Sequence, residues 1–238
     1  MWKSIYDFFL FIKNPSLIRE IEKNYKLKTL ISLFLFSLIV EFLLNLFTNS
    51  AWLRNFLQID PNETFEKETF DKGILYAILT IGVIAPIAEE LLFRSYLKNF
   101  IWNSFIFPIN IGFIFGVLYK VSANKGILIL ISSVLILSCT SYLAIKKSIK
   151  LNNKIYQFYK ERYWIYFYLS ALSFALLHLS NYKIQNFIPF FSILLILPLI
   201  FAGVLLGYIR ITMGLKWSIY FHSLHNLIYV LIFFVSYS

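Results

Sequence analysis

Residues 73–94 read GILYAILTIGVIAPIAEELLFR, an apolar run that carries two adjacent carboxylates, Glu89 and Glu90, with Arg94 four residues beyond Glu90. The stretch 74–93 is long enough to cross about 30 Å of hydrocarbon as a helix. An acidic side chain at the centre of such a helix costs about 2.5–3.5 kcal/mol even on the mildest insertion scale. Spanning a membrane requires no such cost, so the carboxylates point to a functional site.

The rest of the chain is read against that segment. Its 238 residues are 59% hydrophobic and 14% charged, where a soluble domain carries about 25% charged residues. Apolar runs near 28–48, 74–93, 104–120, 126–145, 163–180, 187–209 and 217–237 give about seven candidate spans. The expected fold class is all-α, a polytopic membrane bundle. The run 104–120 is the weakest, interrupted by Pro108, Asn110 and two glycines. The short apolar stretch Ile5–Ile12 contains Asp7 and is followed by Pro15, which reads as an interfacial helix and not as a signal peptide. Two parts are expected: a cytoplasmic or interfacial segment 1–27 and a single transmembrane domain 28–238. The lone Cys139 excludes a disulfide framework and a cysteine metal site.

The net charge of +10 raises the question of nucleic acid. With the N-terminus inside, 16 of the 22 Lys and Arg fall on the cytoplasmic side and six outside. That is a positive-inside bias, so topology accounts for the basic excess and a nucleic-acid partner has no support. The partners expected are the bilayer and a membrane-associated substrate. The expected location is the cell membrane, by composition a bacterial inner membrane with a cytoplasmic N-terminus. The outer connector 49–72, with Asp60, Glu63, Glu66, Glu68 and Asp71, reads as solvated and without chemistry.

Inside the spans, the strongly polar groups are few. Glu90 and Arg94 are i,i+4 and suit an ion pair along one helix face; Glu89 points about 100° away, toward a different neighbour. His222 and Asn226 also share a face, with His225 near its edge, and Phe174 stands one turn before His178. If three helices pack together, a carboxylate, two imidazoles and a carboxamide converge. Such a set suits general-base activation of water and stabilisation of an oxyanion. Two other chemistries use the same residue types. Two His and a Glu form a zinc ligand set, although no His-Glu-x-x-His pair is present. Buried Glu and His also serve as proton relays in transporters, although no broken-helix pair or inverted repeat accompanies them. Glu41 and Asn45 on the first span read as groups that hydrogen-bond neighbouring helices or reach the outer interface, with a place in the cavity lining as the alternative. Pro86, one turn before Glu89, reads either as a kink that frees a carbonyl near the site or as a packing accommodation. Gly203 and Gly207 read as a small-residue packing stripe.

The three clusters resemble the motifs EExxxR, FxxxH and HxxxN of the CAAX prenyl protease and bacteriocin-processing family of intramembrane proteases, also called type II CAAX endopeptidases. Here they stand as Glu89-Glu90 to Arg94, Phe174 to His178 and His222 to Asn226, in order on hydrophobic segments. A Gly-Tyr-Ile-Arg turn, Gly207 to Arg210, precedes the last. The resemblance covers roughly 74–237, with a core of about 74–103 and 163–237 and an inserted hairpin of about 104–145. It implies that Glu89 and His178 activate water, that His222 and Asn226 hold the oxyanion, and that Glu90 and Arg94 are structural, with Phe174 and His225 supporting. Members have been described both as metal-independent glutamate proteases and as metalloproteases. The former is favoured here, and a divalent metal such as zinc would take Glu89, His178 and His222. The expected substrate is a membrane-associated peptide or protein. The rival reading is a non-proteolytic immunity or scaffold protein that uses the same fold for binding.

Overall fold

The computed structural model describes residues 2–17, 21–64, 69–98, 100, 106–112, 124–184 and 189–237. The chain begins with an amphipathic helix, α1 (Trp2–Lys13), that turns Phe8 and Phe11 into the protein and leaves Trp2, Tyr6 and Phe9 exposed. Phe11 meets the ring of Phe167 and Phe8 that of Tyr208, so the expected interfacial helix is docked onto the bundle and not only onto lipid.

Among the described residues, three helices are long and apolar enough to cross a membrane: α2 (Lys23–Thr48), α4 (Ile74–Leu97) and the Leu215–Val235 part of α11 (Leu215–Tyr237). Between the first two lie α3 (Ala51–Leu57) and a strand, β1 (Ile59–Thr64). Then come α5 (106–112), α6 (Asn124–Lys147), α7 (Ile149–Glu161) and α8 (Tyr163–Leu177). A strand β2 (Tyr182–Ile184) and the helices α9 (Pro189–Leu195) and α10 (Leu197–Met213) complete the order before α11. The architecture is an all-α membrane bundle with one small antiparallel β1–β2 ribbon, paired Ile59 to Ile184 and Thr64 to Tyr182.

Several sequence expectations need correction. The connector 49–72 is not simply solvated. Leu53 and Leu57, one helical turn apart on α3, are completely buried and pack with Ile59, Leu176, Leu179 and Leu195. The side chains of Asp60, Glu63, Glu66 and Glu68 lie outside the described residues, whereas Asp71 is exposed. The run 187–209 is broken at Ile196 because Pro198 opens α10, and a proline cannot continue the helix before it. That break sits among apolar side chains of the same cluster, so it does not frame a polar transport cavity. The run 163–180 leaves the α-helix after Leu177, through a tight turn His178–Asn181. Residues 207–210 are helical within α10, not a turn. Of the expected span 104–120, only α5 lies within the described residues.

The centre of the bundle is the α8–α10 pair. A Cβ on Gly203 would stand 2.9 Å from the carbonyl oxygen of Ala171, and one on Gly207 2.8 Å from the Phe167 ring. The small-residue stripe therefore lets two backbones approach closely, as packing in lipid requires. Helices α5 and α6 lie against α7 and α8, leaving a cavity of about 160 Å³ lined by Phe100, Phe107, Pro108, Ser141, Ile145, Ile155 and Tyr166. None of the carboxylates or imidazoles lines it.

Candidate active site

Helix α4 changes its winding before it delivers the carboxylates. Ile74–Ala77 is α-helical, Ile78–Ile84 is a π-helical turn, and Ala85–Phe93 is α-helical again, with Pro86 in its first turn. In the π turn the Ala85 N–H bonds to the Thr80 carbonyl. The next donor in that pattern would be residue 86, and proline has none, so the Ile81 carbonyl is left over. Asn226 Nδ2 donates to it at 2.9 Å. The expected freed carbonyl is present, in a π turn ahead of Pro86, and it is what seats Asn226. Gly82 in the same turn lets α11 come close, since a Cβ there would stand 2.5 Å from Leu227.

The other end of α4 is held by side chains from elsewhere in the bundle. Helix ends leave carbonyls without intrahelical donors, and hydrocarbon supplies none. Asn110 donates to the Leu92 carbonyl at 3.3 Å and Ser170 to that of Phe93 at 2.5 Å. Arg210 reaches the carbonyls of Arg94 and Ser95 at 3.1 and 3.2 Å. Tyr159 and Tyr163 both donate to the Leu97 carbonyl, at 2.7 and 3.0 Å.

Between these two anchors, Glu90 and Arg94 are wholly buried and paired at 3.0 Å, as their i,i+4 spacing requires. Glu90 has two further partners that helical spacing did not identify. Ser218 Oγ donates to its Oε2 at 2.5 Å, and His222 Nδ1 donates to its Oε1 at 3.1 Å. Phe174 joins the whole set. Its ring lies 3.9 Å from the Arg94 guanidinium carbon, 4.8 Å from the His178 ring and 5.6 Å from the His222 ring. The phenylalanine therefore supplies a cation–π face in a dry setting and also packs both imidazoles.

Glu89 points elsewhere, toward those same imidazoles. Its Oε2 is 3.8 Å from His178 Nε2 and 3.7 Å from His222 Nε2. Each ring is oriented by its other nitrogen. At His178 the backbone tightens, its N–H moving to the Ala175 carbonyl, and its own Nδ1 takes the Phe174 carbonyl at 2.8 Å. His222 Nδ1 is held by Glu90. Both Nε2 atoms consequently face one carboxylate oxygen. The side chains of Glu89 and His178 are 15% and 20% exposed, whereas Glu90 and Arg94 are fully enclosed. The two acids thus have different surroundings: Glu90 sits in a closed network, and Glu89 borders accessible space.

Glu89, Glu90, Arg94, Phe174, His178 and His222 meet in this one region, whereas Asn226 is bonded to the Ile81 carbonyl, two turns before Glu89 on α4. His225 turns away to Glu41 on α2, with Nε2 to Oε2 at 2.7 Å. Glu41 is therefore a partner between helices, and Asn45 is exposed. The residue missed was Ser218, whose signal was its spacing: 218, 222 and 226 lie on one helix face. For a metal, Glu89, His178 and His222 have the right donor atoms. Glu89 Oε2 stands 3.8 and 3.7 Å from the two Nε2 atoms, a few tenths of an ångström wider than ligands around a tetrahedral zinc.

The fold and this centre define a class: a polytopic helical membrane protein with a carboxylate–imidazole cluster inside the bundle. Comparison with known families carries this further. The family described as type II CAAX prenyl endopeptidase Rce1-like matches residues 71–228, about two thirds of the chain, from before Glu89 to beyond Asn226. The chain belongs to that family of CAAX-type intramembrane endopeptidases. No curated protein and no solved structure gives a significant match.

Proposed function

We propose that the protein is an intramembrane endopeptidase that cleaves a membrane-associated peptide or protein with a water activated by Glu89. One observation carries this reading. Glu89 Oε2 lies 3.7 and 3.8 Å from two imidazole nitrogens, too far for direct hydrogen bonds and suited to one water touching all three. In the reaction, the Glu89 carboxylate takes a proton from that water while His178 Nε2 accepts or orients the second hydrogen. The hydroxide adds to the scissile carbonyl, whose oxygen becomes an oxyanion. His222, oriented through its Nδ1 by Glu90, and the remaining Asn226 N–H are placed to stabilise that charge. Collapse of the tetrahedral intermediate breaks the C–N bond, and Glu89 returns its proton to the leaving amine.

On this reading the site lies nearer the cytoplasmic face of the membrane. Glu89 is eight residues before Leu97 and His222 seven after Leu215, about 10–12 Å from those helix ends. That end carries Lys26, Arg210 and Lys216, so by the positive-inside rule it is cytoplasmic, in a bacterial inner membrane with the N-terminus on the same side.

The test uses the protein reconstituted in vesicles with quenched fluorogenic peptides carrying a membrane anchor. Glu89→Gln keeps the shape and removes the base, and cleavage should fall by roughly 10²–10⁴-fold. A cellular phenotype that survives Glu89→Gln unchanged would instead assign a non-proteolytic binding role. Cleavage should persist in a chelator; loss in chelator with recovery on adding Zn²⁺ would move the water activation to a metal.

A further inference from the structure

The Glu41–His225 pair lies outside the centre just described, yet it acts on the helix that carries half of it. Glu41 projects from α2 and His225 from α11, with side chains 12% and 25% exposed. Phe34, two turns before Glu41, packs on the His225 ring at 6.2 Å and on Phe221 at 5.5 Å. Two charged-type side chains facing each other between membrane helices are costly unless they serve a purpose.

Their purpose follows from helical geometry. On α11, His222 and Asn226 are about 40° apart around the axis, and His225 is about 60° from His222 on the side away from Asn226. Their polar partners lie on two other helices, two at separate points of α4 and one on α2. His222 reaches Glu90 on α4, Asn226 the Ile81 carbonyl in its π turn, and His225 reaches Glu41 on α2. Apolar side chains in lipid give a helix little preference for one rotation over another, since lipid tails are as apolar as leucine. Two hydrogen bonds and one close carboxylate–imidazole pair, spread over about 100° of one helix, fix its rotation.

We propose that Glu41 is a positioning residue: by holding His225 it sets the rotation of α11 that turns His222 toward Glu89 and Asn226 toward the Ile81 carbonyl. Its activity arm rests on the endopeptidase reading above; its structural arm does not.

Two measurements on the full-length protein test it. In the cleavage assay, Glu41→Ala should lower kcat by roughly ten- to a hundredfold with KM unchanged, the cost of a small misplacement of reacting groups. The exchanged pair Glu41→His with His225→Glu should restore most of that loss. In ¹⁵N-histidine spectra recorded without substrate, the His222 Nδ1–H signal should move in Glu41→Ala and return in the exchanged pair. If Glu41→Ala does not fold, His225→Gln breaks the contact from the other side and is read by the same two observables. A normal kcat with an unmoved His222 signal overturns the proposal, and so does a folded exchanged pair that restores neither. Should the wild-type protein cleave nothing, the endopeptidase reading fails, and the His222 signal alone decides whether Glu41 positions the helix.

Discussion

Replacing Glu90 separates what that residue does for the fold from what it does for His222. In Glu90→Gln the completely buried Arg94 loses its counter-ion at 3.0 Å, while shape and hydrogen-bonding capacity are nearly retained. Breaking a buried pair by removing one charge costs about 3–5 kcal/mol, because the other charge remains desolvated. The cation–π contact with Phe174 at 3.9 Å offsets about 1–2 kcal/mol of the unfavourable burial but does not neutralise the guanidinium. Glu90→Leu combined with Arg94→Met removes both charges, and replacing a buried pair by apolar groups of similar volume is often close to neutral. The double variant should thus recover most of the stability lost by the single one, read as the midpoint of denaturant unfolding in detergent. Activity should not recover. Without Glu90 Oε1, the Nδ1–H of His222 loses its acceptor at 3.1 Å, and loss of such an orienting partner costs about 10–100-fold. A stable double variant with wild-type turnover would refute this reasoning and make Glu90 a purely structural group. A Glu90→Gln variant destabilised by less than about 1 kcal/mol would show that Arg94 is not desolvated as described.

Two further expectations concern packing and backbone satisfaction. Asn226→Leu leaves the Ile81 carbonyl unsatisfied at a cost of about 1–3 kcal/mol; adding Pro86→Ala restores an N–H to that position and should recover part of the loss, seen in the same unfolding measurement. No recovery would mean that the π turn has another cause. Gly203→Ala places a Cβ 2.9 Å from the Ala171 carbonyl oxygen, a backbone atom that cannot swing aside, and should destabilise the bundle by about 1–3 kcal/mol. Gly207→Ala should cost less, because the Phe167 ring it meets is a side chain that can shift.

How much of this was legible in the sequence depends on whether a feature is local. The Glu90–Arg94 pair, the different direction of Glu89, the carbonyl freed ahead of Pro86 and the close packing at Gly203 and Gly207 each follow from spacing within one helix. The convergence of Glu89, His178 and His222 was expected from their order and their cost in lipid, and the structure brings them within 4 Å. What spacing cannot show is the register between distant helices. That Glu90 faces Ser218 and His222, that Asn226 finds the Ile81 carbonyl and that His225 finds Glu41 depend on how α2, α4 and α11 are set against one another. The packed connector was hidden for a compositional reason. Leu53 and Leu57 make only one apolar turn, and the acidic residues that follow them dominate its reading. The break at Ile196 was hidden by hydropathy, which is blind to the missing donor of Pro198.

The central claim is that Glu89, His178 and His222 share one water. The most direct measurement is an experimental density map of the full-length protein in lipid, at a resolution that shows ordered solvent. The expected result is a water within about 3 Å of Glu89 Oε2 and of at least one of the two Nε2 atoms. Carboxylate and imidazoles closed onto each other with no solvent between them, or a Glu89 side chain turned out toward lipid, would contradict it.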